Sequence, residues 1–432
     1  LSLTGTGNGN YTLSAHATVS KVITAKALSV SGLSSSDKVY DGLTTASVSG
    51  SAVLQAAITA GSGTSSDGKP YTVDSVSLTG TPAAAFNSKD VASATTVSFT
   101  GLSLTGTGNG NYTLSAHATE SRSITRKTLT VSGLSSIDKE YDGSQTATVT
   151  GTAALQTAIA AGAGTSSDGK PYTVDSVSVT GSPTAAFNSK NVTAATTVSF
   201  TGLSLTGTGN GNYTLSAHPT VAKVITAKAL TMTGTTIASR QYNATATAGT
   251  LTLGTLTGFV SPETVTATGL AGDYPSPNVG TRASTVAYTL IDGTDGNGGL
   301  ASNYSLASQS VNGVISTKTL SVTAPSVASR AYDGTRNAGS VTVGTLSGFV
   351  GSETVTATGA GSLYSSKDVS SYSTTVSYTL SDGSNGGLAT NYSLATDSAT
   401  GQVTAKPLSV TAPAIASRAY NGSKTAGSVT VG

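Results

Sequence analysis

The sequence contains no cysteine, no tryptophan, one methionine and only three histidines in 432 residues. The absence of cysteine excludes disulfide bonds and thiolate metal sites, and it leaves the compartment of the protein open. Without tryptophan, and with tyrosines at repeated strand positions where burial explains them, a sugar-binding role is weakened. His16, His117 and His218 occupy one repeated Ser-Ala-His position about a module apart. We therefore interpret them as surface-loop residues and not as a shared metal site.

Charged residues make up only 10% of the chain, against roughly a quarter in ordinary soluble domains. The net charge of +2 is spread along the sequence without blocks, which argues against nucleic acid or an anionic membrane as a partner. No apolar run is long enough to cross a bilayer, so we expect no membrane insertion in this segment. Serine, threonine, asparagine and glycine must cover the surface instead, and their weak mutual repulsion favours association between chains.

One pattern recurs five times and organises the whole sequence. Successive copies of a Tyr-Asp-Gly marker start 101, 101, 90 and 88 residues apart, which indicates small independent domains in a row. The five copies are Tyr40-Asp41-Gly42, Tyr141-Asp142-Gly143, Tyr242-Asn243-Ala244, Tyr332-Asp333-Gly334 and Tyr420-Asn421-Gly422. An Asn-Tyr pair keeps the same spacing, with its tyrosine at Tyr11, Tyr112, Tyr213, Tyr304 and Tyr392. A Lys-x-Leu motif opens each cycle, at Lys26, Lys127, Lys228, Lys318 and Lys406.

These markers divide the chain into modules of two lengths. The complete modules are residues 26–126, 127–227, 228–317 and 318–405, and parts of incomplete modules flank them at 1–25 and 406–432. The junctions, such as residues 21–30, contain neither glycine nor proline, so one strand is expected to run directly into the next. We therefore predict a stiff rod.

The two longer modules contain an insert that the shorter ones lack, at residues 51–71 and 152–172. In the first insert, Leu54, Ala57 and Ile58 recur at helical spacing, and Gly61 follows them. This pattern predicts one short helix and a loop in each insert.

Within each module, short runs of alternating apolar and polar residues are separated by clusters of glycine and asparagine. Val376, Tyr378 and Leu380 form one such run in the fourth module. Period-two alternation rich in threonine, valine and tyrosine is typical of half-buried antiparallel strands. About seven strands per module predict an all-β fold, as a small antiparallel β-sandwich of immunoglobulin-like type. A β-grasp module is the alternative.

We interpret the Tyr-Asp-Gly and Asn-Tyr markers as structural turn and core residues. Asp41-Gly42 lies between two strands and suits a tight hairpin turn that needs a positive φ. Ala244 replaces the glycine in the third copy, which should therefore be the most strained. The tyrosine of each Asn-Tyr pair alternates with leucine, as in the tyrosine corner of sandwich domains, whose hydroxyl bonds a nearby backbone group. The same Asn-Tyr-Thr sequence matches a glycosylation sequon, which we regard as the weaker interpretation.

Calcium binding is a secondary interpretation for two features, a glycine-rich loop and the aspartates of the Tyr-Asp-Gly markers. Asp292, Asp295 and Asn297 lie in a glycine-rich loop that superficially resembles a calcium loop, but the loop lacks the bidentate glutamate of an EF-hand. We prefer a hairpin loop there. The aspartates of the Tyr-Asp-Gly markers have no second carboxylate at ligand spacing, so turn formation is preferred for them too. We expect no other cofactor.

No enzyme is expected from this sequence. Catalysis requires unlike titratable groups that converge in one pocket, whereas repetition distributes every residue type evenly along the chain. We therefore assign no catalytic residue.

The order of the motifs resembles a known family. Lys-x-Leu is followed by Tyr-Asp-Gly, by an acidic residue two positions before valine, by Asn-Tyr and by Ile-Thr-x-Lys. The acidic residues are Asp74, Asp175, Glu263 and Glu353. This set is similar to the YDG and related MBG repeat domains of bacterial surface proteins, which occur in tandem in large filamentous-haemagglutinin-like adhesins. The resemblance implies an exported protein at the cell surface or outside the cell, and it implies no particular ligand-binding residue.

Two hypotheses of function follow. In the first, the chain is a structural segment of a large bacterial surface or extracellular fibre. It is then an adhesin stalk, or a filament whose chains associate side by side through strand edges or end to end. In the second, each module binds a host or surface glycan or a protein, and repetition supplies avidity. The inserts at 51–71 and 152–172 are then the candidate binding surface.

Overall fold

The computed structural model describes residues 1–294 and 296–432, and these residues are all-β, as predicted. They form strands of two to thirteen residues and five single-turn 3₁₀ segments. The chain divides into two compact units, Leu1–Lys139 with Ser144–Ile225, and Glu140–Gly143 with Thr226–Gly432. No helix among the described residues is long and apolar enough to span a membrane. The 3₁₀ turns are Asn8–Asn10, Asn109–Asn111, Asn210–Asn212, Ala301–Asn303 and Ala389–Asn391.

The first unit contains most of the two longer modules. The strands of the first module are β1 Lys26–Leu28, β2 Val30–Ser34, β3 Lys38–Val39, β4 Thr45–Ala46, β5 Ser49–Leu54, β6 Ser75–Thr79, β7 Ala83–Phe86, β8 Thr96–Thr100, β9 Ser103–Thr107, β10 Tyr112–Leu114, β11 Glu120–Ser121 and β12 Ile124–Thr125. Those of the second are β13 Lys127–Leu129, β14 Val131–Ser135, β15 Lys139–Glu140, β16 Thr146–Ala147, β17 Thr150–Leu155, β18 Ser176–Phe187, β19 Thr197–Thr208, β20 Tyr213–Leu215, β21 Val221–Ala222 and β22 Ile225–Thr226. A four-stranded sheet lies at the centre of each module, in the orders β4-β7-β8-β11 and β16-β18-β19-β21.

The second unit contains the two shorter modules and the last part of the chain. The strands of the third module are β23 Lys228–Ala229, β24 Thr231–Thr233, β25 Thr236–Ile237, β26 Arg240–Gln241, β27 Leu251–Thr252, β28 Thr255–Thr257, β29 Val265–Ala271, β30 Gly280–Asp292, β31 Tyr304–Ser305 and β32 Gln309–Ser316. Those that follow are β33 Lys318–Val322, β34 Ser326–Val327, β35 Arg330–Ala331, β36 Val341–Thr342, β37 Leu346–Ser347, β38 Val355–Gly361, β39 Ser370–Asp382, β40 Tyr392–Leu394, β41 Asp397–Thr404, β42 Ala414–Ile415 and β43 Val429–Thr430. The four-stranded sheets have the orders β26-β32-β30-β29 and β35-β41-β39-β38.

The pairing inside a module is not wholly antiparallel. The first strand of each module runs parallel to the strand that carries the Asn-Tyr tyrosine, so the Lys-x-Leu and Asn-Tyr motifs are neighbours. The opposed residues are Lys26 and Tyr112, Lys127 and Tyr213, Lys228 and Tyr304, and Lys318 and Tyr392. The strand before Tyr-Asp-Gly also pairs in parallel with a late strand of its module, as in β3 with β12, β26 with β32 and β35 with β41. Each module is thus closed by contacts between residues far apart in sequence.

The inserts contain no helix, so that prediction was wrong. Leu54 ends strand β5, and Ile58 forms a parallel bridge with Tyr71 at the far end of the insert. Ile58 N–H donates to the carbonyl of Pro70 at 2.9 Å, and the Ile58 carbonyl accepts from Thr72 N–H at 2.8 Å. A three-residue apolar pattern is too short to offset the cost of helix nucleation, and here the backbone groups find distant partners instead.

The buried core continues across the boundary between modules inside each unit. In the first unit, Phe86 and Val97 of the first module belong to the same buried cluster as Leu129, Tyr172 and Tyr213 of the second. The second unit has an equivalent cluster that includes Val286 and Ile315 of the third module and Leu320 and Val355 of the fourth. Modules within a unit are therefore packed against each other and are not separate beads.

The strands on either side of a boundary are separated by one residue. Strand β12 ends at Thr125 and β13 begins at Lys127, and β32 ends at Ser316 before β33 begins at Lys318. This agrees with the absence of glycine and proline at these points of the sequence.

Candidate functional site: a tyrosine–carboxylate junction between modules

The Tyr-Asp-Gly loop sets the direction in which its tyrosine points. Tyr40 N–H donates to the Thr125 carbonyl at 2.9 Å, which continues the β3–β12 pairing by one residue. Asp41 Oδ1 accepts hydrogen bonds from Leu43 N–H at 3.0 Å and from Lys38 Nζ at 2.7 Å. An aspartate that bonds the backbone two residues ahead makes an Asx turn, a stable local structure. The tyrosine thus leaves the sheet in a defined direction.

This loop is not the predicted hairpin turn. Strand β3 pairs with β12 and β4 pairs with β7, so the loop connects two different sheets. The expected positive φ is present, at 80° in Gly42, 79° in Gly143 and 85° in Gly334. Ala244 adopts φ 62°, so the copy without glycine holds an alanine in the left-handed region, which costs energy in any residue with a Cβ.

Gly42 also lies against the next module. A Cβ at this position would lie 2.9 Å from the Cβ of Ala161, in the insert of the second module. The carbonyl of Asp41 accepts a hydrogen bond from Gly162 N–H at 2.8 Å. The 152–172 insert, which the sequence suggested as a ligand-binding surface, is therefore contacted by the Tyr-Asp-Gly loop of the preceding module.

Tyr40 reaches across the module boundary to a buried carboxylate. Its side chain is fully buried, and its hydroxyl donates to Asp175 Oδ2 at 2.7 Å, although the two residues are 135 positions apart. Tyr213, the Asn-Tyr tyrosine of the second module, donates to the same oxygen at 2.7 Å and accepts from Tyr172 N–H at 3.0 Å. The Asp175 side chain is only 2% exposed, and Lys89 Nζ of the first module lies 3.6 Å from its Oδ1. Two hydroxyls and one ammonium therefore surround a single carboxylate.

The aromatic rings reinforce this arrangement. Tyr40 meets Tyr213 edge to face, with ring centroids 5.3 Å apart and an interplanar angle of 83°. It meets Tyr172 in a similar way at 5.9 Å. Edge-to-face pairs contribute about 0.5–1.5 kcal/mol beyond the burial of their area. The junction is thus held by packing as well as by hydrogen bonds.

The second unit repeats the arrangement with glutamate in place of aspartate. Tyr242 of the third module donates to Glu353 Oε1 at 2.8 Å, and Tyr392 of the fourth donates to Glu353 Oε2 at 2.7 Å. Tyr392 also accepts from Val350 N–H at 3.1 Å, and its ring centroid lies 5.6 Å from that of Tyr242. The longer glutamate reaches the position that aspartate occupies in the longer modules.

A third example of the junction also lies in the second unit. Tyr141, which is 1% exposed, donates to Glu263 Oε1 at 2.7 Å, and Tyr304 donates to Glu263 Oε2 at 2.8 Å. The rings of Tyr141 and Tyr304 are again edge to face, with centroids 5.5 Å apart. All three junctions consist of one Tyr-Asp-Gly tyrosine, one Asn-Tyr tyrosine and one carboxylate.

A second contact accompanies the tyrosine in the junctions at Asp175 and Glu353. Val91 N–H of the first module donates to Asn212 Oδ1 at 2.9 Å, and Asn212 Nδ2 donates to Asp90 Oδ1 at 2.9 Å. In the second unit, Val279 N–H donates to Asn391 Oδ1 at 3.0 Å. Asn212 and Asn391 are 4% and 0% exposed, respectively. The asparagine of the Asn-Tyr pair thus binds the preceding module, while its tyrosine completes the carboxylate site.

Burial and the adjacent carboxylates raise the pKa of the junction tyrosines. Burial, followed by the hydrogen bond to Glu353, raises the pKa of Tyr242 to about 12. Burial and Glu263 raise the pKa of Tyr304 to about 12 as well. The pKa of Tyr40 and that of Tyr213 are also raised by burial and by Asp175. All of these hydroxyls therefore keep their protons, which they donate to the carboxylates.

Asp292, one of the calcium candidates, lies opposite Val265 on the paired strands β29 and β30, two residues from the junction carboxylate Glu263. Asp292 Oδ1 accepts from Ala301 N–H at 2.7 Å, so this carboxylate stabilises the 3₁₀ turn that follows the loop. Asn297 is exposed, and Asp295 lies outside the described residues. No group of three or more histidine and carboxylate side chains among the described residues could hold a metal ion.

The histidines in the complete modules are structural and not surface-loop residues. His218 is 8% exposed; its Nε2 accepts from Leu134 N–H at 3.1 Å, and its ring packs edge to face on Phe200. His117 makes the equivalent bond to Leu33 N–H at 3.3 Å. The sequence-based interpretation was wrong for both, because their burial depends on a strand more than 80 residues away.

Four of the ten marker tyrosines lie outside any complete junction among the described residues: Tyr11, Tyr112, Tyr332 and Tyr420, of which Tyr420 is 95% exposed. Tyr11 is 74% exposed. Tyr332 is partly exposed, although Thr335 N–H donates to Asp333 Oδ1 at 2.8 Å and its loop has the usual structure. Tyr112 is buried and bonds Asp74, but no Tyr-Asp-Gly tyrosine joins it in the part of the chain that the structure describes.

The family model of the YDG domain matches the chain four times, over residues 24–120, 125–221, 226–311 and 316–400. The chain belongs to the YDG domain family. The four matched YDG domains begin and end within a few residues of the modules in the sequence. No curated protein matches the chain.

The role of the carboxylates was not predicted. Asp74, Asp175, Glu263 and Glu353 were noticed only as part of the family pattern, with no function assigned. A useful signal was present, because an acidic residue two positions before valine recurs in every complete module of a chain that has only 20 acidic residues. Its partner tyrosine could not be identified from spacing, because it comes from a different YDG domain.

Proposed function

We propose that this chain is a structural repeat segment of a large bacterial surface or extracellular fibre protein, which acts as an adhesin stalk or as a self-associating filament. The observation that carries the proposal is the tyrosine–carboxylate junction. It recurs with two tyrosines and one carboxylate each time, and within each unit it accompanies a hydrophobic core shared by consecutive YDG domains. A segment that only displayed binding sites would not require such contacts between its domains.

The chemistry of the junction suits a mechanical role outside the cell. Each junction tyrosine is removed from solvent, donates to a carboxylate and packs against a second aromatic ring, so several weak contacts must break together. The contacts involve no cysteine and therefore do not depend on the redox state of the surroundings. Sparse charge makes the surface insensitive to ionic strength.

A distance measurement in the full chain tests the structural part of the proposal. Cysteines introduced by Thr268→Cys and Thr379→Cys, at exposed positions of β29 and β39, would be the only thiols and could carry spin labels. We expect one narrow distance distribution in the otherwise unchanged chain. Glu353→Ala should broaden it, and the matched change Asp175→Ala in the other unit should not. A broad distribution before any junction residue is changed would contradict the structural role.

The proposed location of the protein, at the cell surface or outside the cell, is tested separately. Antibodies raised against the chain should label the outside of intact, unpermeabilised cells of the organism that encodes it, or fibres shed from them. Labelling only after permeabilisation would overturn the assignment to the surface and leave the junction itself unaffected.

A further inference from the structure

Strand β29, Val265–Ala271, lies at one edge of the four-stranded sheet of the third YDG domain. It pairs along its whole length with β30, and no strand among the described residues pairs with its other side. Matched YDG domains both precede and follow the third one along the chain. The open edge is therefore a feature of a domain that has both of its neighbours.

The hydrogen-bond pattern of the β29–β30 ladder determines which backbone groups face outwards. Gly272 N–H donates to the Thr285 carbonyl at 2.9 Å, one pair beyond the end of the ladder. Because bonded and non-bonded pairs alternate in an antiparallel ladder, the even-numbered residues of β29 bond β30 and the odd-numbered residues point away from it. The backbone N–H and C=O groups of Ala267 and Gly269 accordingly have no hydrogen-bond partner among the residues that the structure describes. Such a row of free groups is a template for another strand.

Strand β29 lacks the features that usually protect an edge strand. Its sequence, Val-Thr-Ala-Thr-Gly-Leu-Ala, contains no charge and no proline, and its register with β30 is continuous. In the second domain, by contrast, β18 contains Pro183 and a register shift between Gly181 and Thr184. Proline, charge and bulges are the devices that prevent pairing between edges. The third domain has none of them on this strand.

We propose that β29 pairs antiparallel with β29 of a second copy of this chain, in the register that places Thr268 opposite Thr268. The outward-facing groups of the two strands then meet. Ala267 of each copy exchanges two hydrogen bonds with Gly269 of the other, and Val265 does the same with Ala271. This inference rests on the proposed structural function and specifies its self-association.

The exposed side chains of β29 fit a second copy in this register. Leu270 is 76% exposed and shares a face of the strand with Thr266. In the proposed pair, Leu270 of each copy lies beside Thr266 of the other, and Thr266 is in turn opposite Ile291 of its own β30. Ile291 is 45% exposed, so pairing removes apolar surface of both residues from water. The contact is isologous and joins two chains side by side.

A disulfide tests the register, because the unchanged chain has no cysteine. Opposed residues of a non-hydrogen-bonded pair have Cα atoms about 4.5 Å apart, which is within the span of a disulfide. We expect mild oxidation of Thr268→Cys to give disulfide-linked dimers on a non-reducing gel. Thr266→Cys, on the same face of the same strand, is the matched control. Its two copies would lie about 14 Å apart along the strands, so it should form dimers at least about tenfold more slowly.

Sedimentation velocity over a range of concentrations measures the association without a crosslink. We expect the unchanged chain to form dimers. Thr268→Lys places two ammonium groups opposite each other and should weaken the dimer by about tenfold or more, because like charges about 4 Å apart repel. Thr358→Lys, at the equivalent exposed position of β38 in the fourth domain, is the control and should leave the association unchanged.

Three results would overturn the proposal. They are an unchanged chain that stays monomeric at all concentrations, equally fast crosslinking of Thr266→Cys and Thr268→Cys, and association that Thr268→Lys leaves intact, as expected for pairing through another edge. The distance test at Glu353 is made within one chain, with the thiol at position 268 blocked by its label. None of the three results would decide it, so the two proposals fail separately.

Discussion

The hydroxyl of Tyr242 lies 2.8 Å from Oε1 of Glu353, a residue 111 positions further along the chain and in the next YDG domain. Glu353 Oε2 is held at the same time by Tyr392 of its own domain. The Tyr-Asp-Gly marker, which the sequence suggests is only a turn, thus supplies the tyrosine whose hydrogen bond links one repeat to the next. The predictions below address this contact and the loop that presents it.

Removal of the Tyr242 hydroxyl should destabilise the second unit. Tyr242→Phe keeps the ring and its edge-to-face contact but leaves Glu353 Oε1 without this donor, which costs about 1.5–3 kcal/mol for a bond to a charged group. Urea unfolding followed by hydrogen exchange of the third and fourth domains measures the loss. Tyr332→Phe is the matched control, and its change should be near zero at concentrations where the chain is monomeric. Equal effects of the two substitutions would show that the hydrogen bond from the Tyr242 hydroxyl to Glu353 does not stabilise the unit.

A glycine at position 244 should stabilise the loop of the third marker, Tyr242-Asn243-Ala244. Ala244 has φ 62°, and the left-handed region costs a residue with a Cβ about 1–2 kcal/mol. Ala244→Gly is therefore expected to raise the free energy of unfolding of the second unit by up to about 1 kcal/mol, since the greater freedom of glycine in the unfolded chain offsets part of the gain. The reverse change, Gly334→Ala, tests the same effect, because Gly334 has φ 85° and an added Cβ would meet no atom within 4 Å. It should destabilise by a similar amount; no effect of either change would contradict the argument.

Alkaline pH should weaken the junctions. The pKa values of Tyr242 and Tyr304 are about 12 in the folded chain, above the ordinary value of about 10 for tyrosine. Their contribution to stability is therefore complete below pH 10 and is lost as the pH rises through 12. Tyrosinate absorbance at 295 nm reports the ionisation without interference, since the chain has no tryptophan. Tyr242→Phe with Tyr304→Phe should remove amplitude near pH 12 and leave the lower part of the curve unchanged.

Acid should loosen the insert of the first domain. Lys26 Nζ lies 2.8 Å from Asp67 Oδ1, and this contact, followed by the Lys69 backbone N–H, lowers the pKa of Asp67 to about 2. The carboxylate therefore adds stability above about pH 4, the ordinary value, and the contribution is lost as the pH falls towards 2. The protection factors of the amides of residues 51–71, which are corrected for the intrinsic pH dependence of exchange, should fall over this interval. In Asp67→Asn the protection factors should already be lower at neutral pH and nearly independent of pH; an unchanged profile would exclude the ion pair as the cause.

Much of each domain was predictable from local pattern. The alternation in β8 places Val97 and Phe99 in the core and leaves Ser98 exposed, as period-two residues on a pleated strand must be. The positive φ of Gly42 and the strain at Ala244 follow from residue type alone. The helix predicted around Leu54 failed because short apolar spacings are shared by strands and helices, and the distant partner of Ile58 was not visible in the sequence.

The sequence by itself determined the number of YDG domains, their all-β character and the positive φ of the glycine in each Tyr-Asp-Gly marker. These properties depend on repetition and on steric preferences that act over a few residues. Only the tertiary structure decided that Tyr40 meets Asp175 and that Tyr242 meets Glu353. Those pairs form because parallel pairing of first and late strands closes each domain and packs it against its neighbour, which brings together side chains that are 135 and 111 residues apart. No local preference specifies a contact at that separation, so the partner of each tyrosine is a property of the packed chain.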